Sequence, residues 1–174
     1  MGREIRKVPP NWEHPSSEDN YGRMRLQPMH NERFEEAKRE WIEGLAEWEA
    51  EGKSETEECE YWDYNGNPPD RPYYRPWRDE EATWFQLWET VSEGTPVSPP
   101  FATKEELVSY LAEHGDFWDQ KRCMEPDWSR LWGGFPSKSG WGLERATAFV
   151  NAGWAPSMIV VDGQAIDGKL AVQP

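Results

Sequence analysis

Five glutamates, Glu36, Glu40, Glu43, Glu47 and Glu51, recur at intervals of four, three, four and four residues. On an α-helix this spacing sets them in one line, with successive carboxylates roughly 5–6 Å apart. Phosphates along a nucleic-acid strand are separated by a comparable distance, about 6–7 Å. Such a line can stand in for a phosphate backbone in front of Lys and Arg, and it can equally be the solvated face of an amphipathic helix. Arg39 can serve Glu36 and Glu43, whereas Glu40, Glu47 and Glu51 have no basic residue three or four positions away. The like-charge pairs together oppose the helix by about 1 kcal/mol.

A second group is aromatic. Tyr73, Tyr74, Arg75 and Trp77 fall within residues 68–77, whose prolines hold the chain extended at low entropic cost. Tyr, Trp and Arg dominate binding hot spots, so these four are candidate anchors for a partner. Trp118, Trp128, Trp132 and Trp141 form a later cluster. A chain poor in Ile, Leu and Val must also build its core from tryptophan, and most of the twelve are expected there.

Catalytic and metal signatures are missing. There is no G-x-S-x-G and no Ser or Cys with an identifiable partner. Residues 133–140 are glycine-rich but lack the Walker spacing, and Pro136 removes a donor. Cys59, Cys123, His14, His30 and His114 show neither C-x-x-C nor H-x-x-x-H spacing, so no metal and no cofactor are expected. The expected protein is not an enzyme. The alternatives are a small hydrolase or nucleotide-processing enzyme with an acidic, Trp-lined pocket, and an assembly factor that interacts through its aromatics.

The elements that must hold these groups follow from periodicity. Residues 1–30 read as an extended arm, with Trp12 as an anchor onto the main body. Residues 31–60 read as the acidic amphipathic helix and a following loop. Phe34, Ala37, Trp41, Leu45 and Trp48 form its apolar stripe, Asn31 is the N-cap, and Gly44 costs about 1 kcal/mol against Ala. Residues 61–174 read as the core domain. Tyr61–Tyr64 is a strand candidate stopped at Asn65-Gly66, and residues 83–92 alternate, with Phe85 and Leu87 on one side and Trp84, Gln86 and Trp88 on the other. The first helix is expected to cover that second side. Thr103 and Glu106 make a capping box for a helix ending at Gly115, and residues 116–140 read as a long loop. Residues 141–151 read as a third helix, and 157–161 as a buried strand turning at Asp162-Gly163. The expected class is α+β: a small antiparallel sheet packed with two or three helices, an N-terminal arm and an acidic helix.

Composition narrows the function classes. The 174 residues carry 33 Asp and Glu against 19 Lys and Arg, a formal charge of −14. That charge repels phosphate, so nucleic acid is not an expected direct partner, and a basic protein or nucleoprotein complex is. No run approaches the roughly 20 apolar residues of a membrane span, and no signal-peptide core follows Met1. Two isolated cysteines imply reduced thiols in a cytosol.

Two stretches resemble a known group. The opening MGREIRKVPPNWEHP, residues 1–15, and ETVSEGTPVSPPFATKEEL, residues 89–107, resemble segments of small acidic proteins of bacteriophages and prophages, over about a fifth of the chain. Phage and prophage genomes also supply small acidic inhibitors of host immunity, among them anti-CRISPR proteins and nucleic-acid mimics. The resemblance implies an inhibitor acting in the bacterial cytoplasm. It would block a basic nucleic-acid-binding surface of a host defence complex, such as a CRISPR effector, with the acidic helix and the aromatic anchors.

Overall fold

A computed structural model describes residues 2–51, 59–91, 93–124, 138–156, 158–161 and 163–168. The chain is α+β. Its strands are β1 (Gly2–Val8), β2 (Ser16–Glu18), β3 (Met24–Leu26), β4 (His30–Arg33), β5 (Tyr74–Arg75), β6 (Trp84–Glu89), β7 (Thr95–Pro96), β8 (Trp154–Pro156), β9 (Met158–Val161) and β10 (Gln164–Asp167). Its helices are α1 (Phe34–Glu51), α2 (Tyr61–Asn65), α3 (Lys104–His114), α4 (Phe117–Met124) and α5 (Leu143–Ala152). The main sheet is antiparallel, in the order β7-β6-β1-β8. None of the helices among the described residues is long and apolar enough to cross a membrane.

The expected N-terminal arm is corrected by β1, an inner strand of this sheet. Arg3 to Val8 pair with Glu89 to Trp84 on one side, and Gly2 to Glu4 with Pro156 to Trp154 on the other. Four charged residues hide its alternation from hydropathy. Arg6 nevertheless points inward and is buried. Its guanidinium donates to Glu4 Oε1 (2.5 Å), Met29 O (2.5 Å) and Glu93 O (3.0 Å), and lies 4.4 Å from the centroid of the Trp88 ring. Every contact thus replaces water that burial removes.

The sheet has a core on each face. Leu87 and Val97 pack with Leu107 and Leu111 of α3, Trp141, and Phe149 and Val150 of α5, with Ile5 and Phe85 at the margin. On the opposite face Val8 and Trp88 pack with Met29, Trp77 and Ala82, edged by Trp12 and Trp84. The alternation of β6 is therefore as expected. Its second cover is not α1 but the chain after β1 together with Trp77. Trp12 meets Trp77 edge-on with ring centroids 4.5 Å apart. Buried Gln86 is satisfied by Ser98 O (2.8 Å) and by the Trp88 indole N–H (3.1 Å).

Local signals set most helix ends. Thr103 Oγ1 accepts from Glu106 N–H (3.1 Å), and Glu106 reaches back to the Thr103 N–H (3.2 Å). Gly153 ends α5 at φ +76°. Within the stretch expected to be a loop, α4 forms because buried Asp116 accepts from the N–H of Asp119 (2.8 Å), while its other oxygen takes Arg3 Nε–H (2.9 Å). Trp128, Trp132 and residues 133–137 lie outside the described residues. The strand expected at Tyr61–Tyr64 is instead the short helix α2, closed by a Gly66 N–H to Trp62 O bond (3.0 Å). Asn31 is not a helix cap, since it lies in β4; Glu36 reaches the Arg33 N–H instead (3.4 Å). The run at 158–161 forms the expected hairpin with β10, but it is not buried. Met158 is 61% and Val160 69% exposed, because β9 and β10 form a two-stranded sheet of their own.

His14 sits between Trp12 and Trp88, with ring centroids 6.2 and 4.9 Å away. Its Nε2–H donates to Gln27 O (2.6 Å), and Nδ1 accepts from the Trp12 indole N–H (3.4 Å). Burial lowers its pKa below 6.5; the Gln27 carbonyl acts in the opposite sense, and the nearby charge of Arg6 lowers it further. As pH falls below about 6.5 the unfolded chain takes up this proton before the folded one. The stability that neutral His14 contributes is therefore present above that pH and is lost on acidification. Thermal midpoints measured from neutral to mildly acidic pH should fall less steeply for His14→Phe than for the wild type.

Candidate interaction surface

Helix α1 is clamped at its base by the segment that includes β5. His30 stacks on Tyr74 (4.7 Å), Phe34 meets Tyr74 edge-on (6.1 Å), and Arg71 lies 4.3 Å over Phe34 while donating to Glu35 (2.6 Å). Further along, Tyr61 of α2 wedges between Trp41 (5.3 Å) and Trp48 (6.0 Å), and the Trp41 indole N–H donates to Gly66 O (3.1 Å). The apolar stripe of α1 is thus covered at Phe34 by Tyr74 and Arg71, and at Trp41 and Trp48 by Tyr61 of α2. Of the whole helix only Ala37 is fully buried.

Gly44 now has a reason. A Cβ there would lie 2.3 Å from Tyr61 Oη, and Tyr61 is held by two indoles and is itself buried. An alanine in a helix interior normally adds about 1 kcal/mol over glycine. Here Gly44→Ala should lower stability, and the double variant Gly44→Ala with Tyr61→Phe should recover it, both read from denaturant midpoints.

The acidic line remains on the outside. Glu40, Glu43, Glu47 and Glu51 are exposed and form no ion pair among the described residues, whereas Glu36 is half-buried beside Arg33 (4.0 Å). The first-turn acids Glu35 and Glu36 suit the positive end of the helix dipole. The later ones, near its negative end, do not. Stability alone does not favour them there.

The four residues of the proline segment part company. Tyr73 is 39% exposed and stays available. Tyr74 is half-buried, and burial raises its pKa, helped by the charges of Glu32 and Glu93. Arg75 is half-buried and paired with Asp79 (2.7 Å). Trp77 is corrected outright as an anchor: at 5% exposure it belongs to the second core. Its apolar bulk completes the layer over Trp88, an environment no short sequence window records.

Two aromatics missed from the sequence lie beside the acidic helix instead. Trp62 (46% exposed) and Tyr64 (68%) sit on α2, the element docked against α1. The signal that could have found them is Glu60 with Asp63, whose carboxylate accepts the Glu60 N–H (2.7 Å) in the manner of a capping box. Exposed carboxylates thus lie on one helix and exposed rings on the helix docked against it. Among the described residues no group of three His, Cys, Asp or Glu side chains is placed to hold a metal ion. Comparison with protein-family models, with curated proteins and with solved structures finds no match to this chain.

Proposed function

We propose that the protein is a phage-type, non-enzymatic inhibitor that blocks a basic nucleic-acid-binding surface of a host defence complex, such as a CRISPR effector. The observation that carries the reading is the exposed line Glu40, Glu43, Glu47 and Glu51 on a helix that buries only Ala37. A channel that tracks phosphates through Lys and Arg meets there a rigid row of carboxylates at similar spacing. Trp62, Tyr64 and Tyr73 supply flanking aromatic contact. The net charge of −14 steers association with a cationic target, which makes binding fast at low salt and weak at high salt.

The test is to express the tagged protein in a bacterium with active defence systems and identify what co-purifies at low and at high salt. A stoichiometric nucleic-acid-handling complex, released both by salt and by competing nucleic acid, is the expected result. A protein that elutes alone at low salt, from cells whose defence it should silence, would overturn the proposal.

A further inference from the structure

A groove of about 610 Å³ lies away from α1, between the β2–β3 hairpin, the turn joining β6 to β7, and the first turns of α4. Its apolar lining is partly exposed: Leu26 is 39%, Val91 39%, Phe117 40% and Trp118 42% exposed. Volumes of this size accommodate ligand groups or a few side chains of a peptide.

Most of the charges around the groove are already matched. Asp19 accepts from the Arg23 and Arg25 guanidinium groups (3.0 and 2.7 Å), and these bonds hold its carboxyl well below the usual range. Glu89 accepts from the Trp118 indole N–H (2.9 Å) and from Thr95 Oγ1 (2.9 Å). Lys121 differs. It is exposed, its ammonium stands 5.8 Å from the Trp118 ring, and it makes no ion pair among the described residues. Glu93 lines the groove from the β6–β7 turn, likewise without an ion pair among the described residues. The sheet edge at the groove cannot capture a strand through its backbone there. Pro96 has no N–H, Gly94 O already takes Met29 N–H (2.8 Å), and Val97 O takes Phe117 N–H (2.9 Å). Recognition must run through side chains.

We infer that this groove binds a short peptide segment of a partner protein, whose large apolar side chain packs on Trp118 and Leu26 and whose adjacent carboxylate pairs with Lys121. Glu93 disfavours a second carboxylate at its own wall, so a peptide acidic at one side of its anchor fits better than an acidic run. A second copy of the chain is a poorer occupant, because two molecules at −14 repel.

The test uses the full chain and a phage-displayed library of random short peptides. Enriched sequences should share Asp or Glu next to an aromatic or large aliphatic residue. Synthetic copies should bind Trp118→Ala about tenfold or more weakly and Lys121→Glu about three- to tenfold more weakly. Changing the peptide's carboxylate to Lys should restore binding to Lys121→Glu, a compensation that a misfolded variant cannot show. The variant Glu40→Lys/Glu43→Lys/Glu47→Lys should bind the peptides as the wild type does, which separates this site from the reading of α1. Failure to enrich any peptide, peptides indifferent to Trp118→Ala and Lys121→Glu, or binding lost in the α1 variant would each overturn the inference.

Discussion

Glu40→Lys/Glu43→Lys/Glu47→Lys is expected to abolish inhibition of the target while leaving the fold unchanged. All three side chains are exposed and without ion-pair partners among the described residues, so nothing structural is removed. Inside the helix the exchange is close to neutral. The lysines introduced at positions 40 and 47 would stand four residues from Glu36 and Glu51, replacing repulsion by attraction. Between positions 40, 43 and 47 Lys–Lys repulsion takes the place of Glu–Glu repulsion, the lysine at 43 meets Arg39 with like charge, and each pair is worth a few tenths of a kcal/mol. Lysines toward the C-terminal end also suit the dipole. At the interface the sign reverses altogether. Three reversals of two units each take the chain from −14 to −8, and they put cations where a basic channel requires anions. Association should slow by about a hundredfold at low salt and depend less steeply on salt. The measurements are the association rate against ionic strength, with circular dichroism and melting as controls. Full inhibition by this variant would end the mimic reading, and loss of inhibition with a lowered melting point would leave the loss attributable to unfolding.

The second large effect is expected at Arg6. Arg6→Ala removes one donor group that serves Glu4, Met29 O and Glu93 O at once, and strips the face of Trp88. Met29 O, whose bond is buried, costs about 1–3 kcal/mol when left without a donor, the part-buried Glu4 and Glu93 O cost less, and the lost contact with the Trp88 face adds to them. The total of about 3–5 kcal/mol is a large part of the roughly 5–15 kcal/mol that holds a typical domain. Arg6→Lys should recover little, because a single ammonium on a flexible stem cannot reproduce a planar fork bonded to three oxygens. Burial already lowers the Arg6 pKa, a shift that its bond to Glu4 and the charge of that carboxylate oppose. Urea midpoints should fall at unchanged m-value; a change in m would mean instead that the second core had loosened in the native state.

Features written within four or five consecutive residues were legible. The Thr103–Glu106 box, the alternation of Trp84 to Trp88, Gly153 after α5 and the Gly163 turn each carry their own local chemistry, and each forms as expected. What was not legible depends on partners far away. Strand β1 reads as charged and aperiodic because Arg3 and Arg6 find their acceptors at Asp116, Met29 and Glu93. Tyr61–Asn65 has strand-like aromatics, yet it is helical because Tyr61 must enter the gap at Gly44. The candidate site divides on the same principle. The acidic line was legible from helical spacing alone, whereas Trp77 and the pair Trp62 and Tyr64 exchange roles because burial is decided by the tertiary cover.

The strand order has a consequence for how the molecule is made. Strand β1 leaves the ribosome well before its neighbours, β6, which starts at Trp84, and β8, which starts at Trp154. At roughly 5–20 residues per second, β6 follows β1 by about 4–15 s and β8 by about 7–30 s. Throughout that interval β1 has no sheet to join. Its charged residues then serve a purpose that the finished fold conceals, since a strand with Arg3, Glu4, Arg6 and Lys7 stays solvated and resists premature pairing while it waits. Pairings across so much of the chain also make closure of the sheet slow, so a delay in synthesis between Glu89 and Trp154 would lengthen exposure both of the sheet's unpaired edge and of the face that Leu107, Leu111, Trp141 and Phe149 later cover.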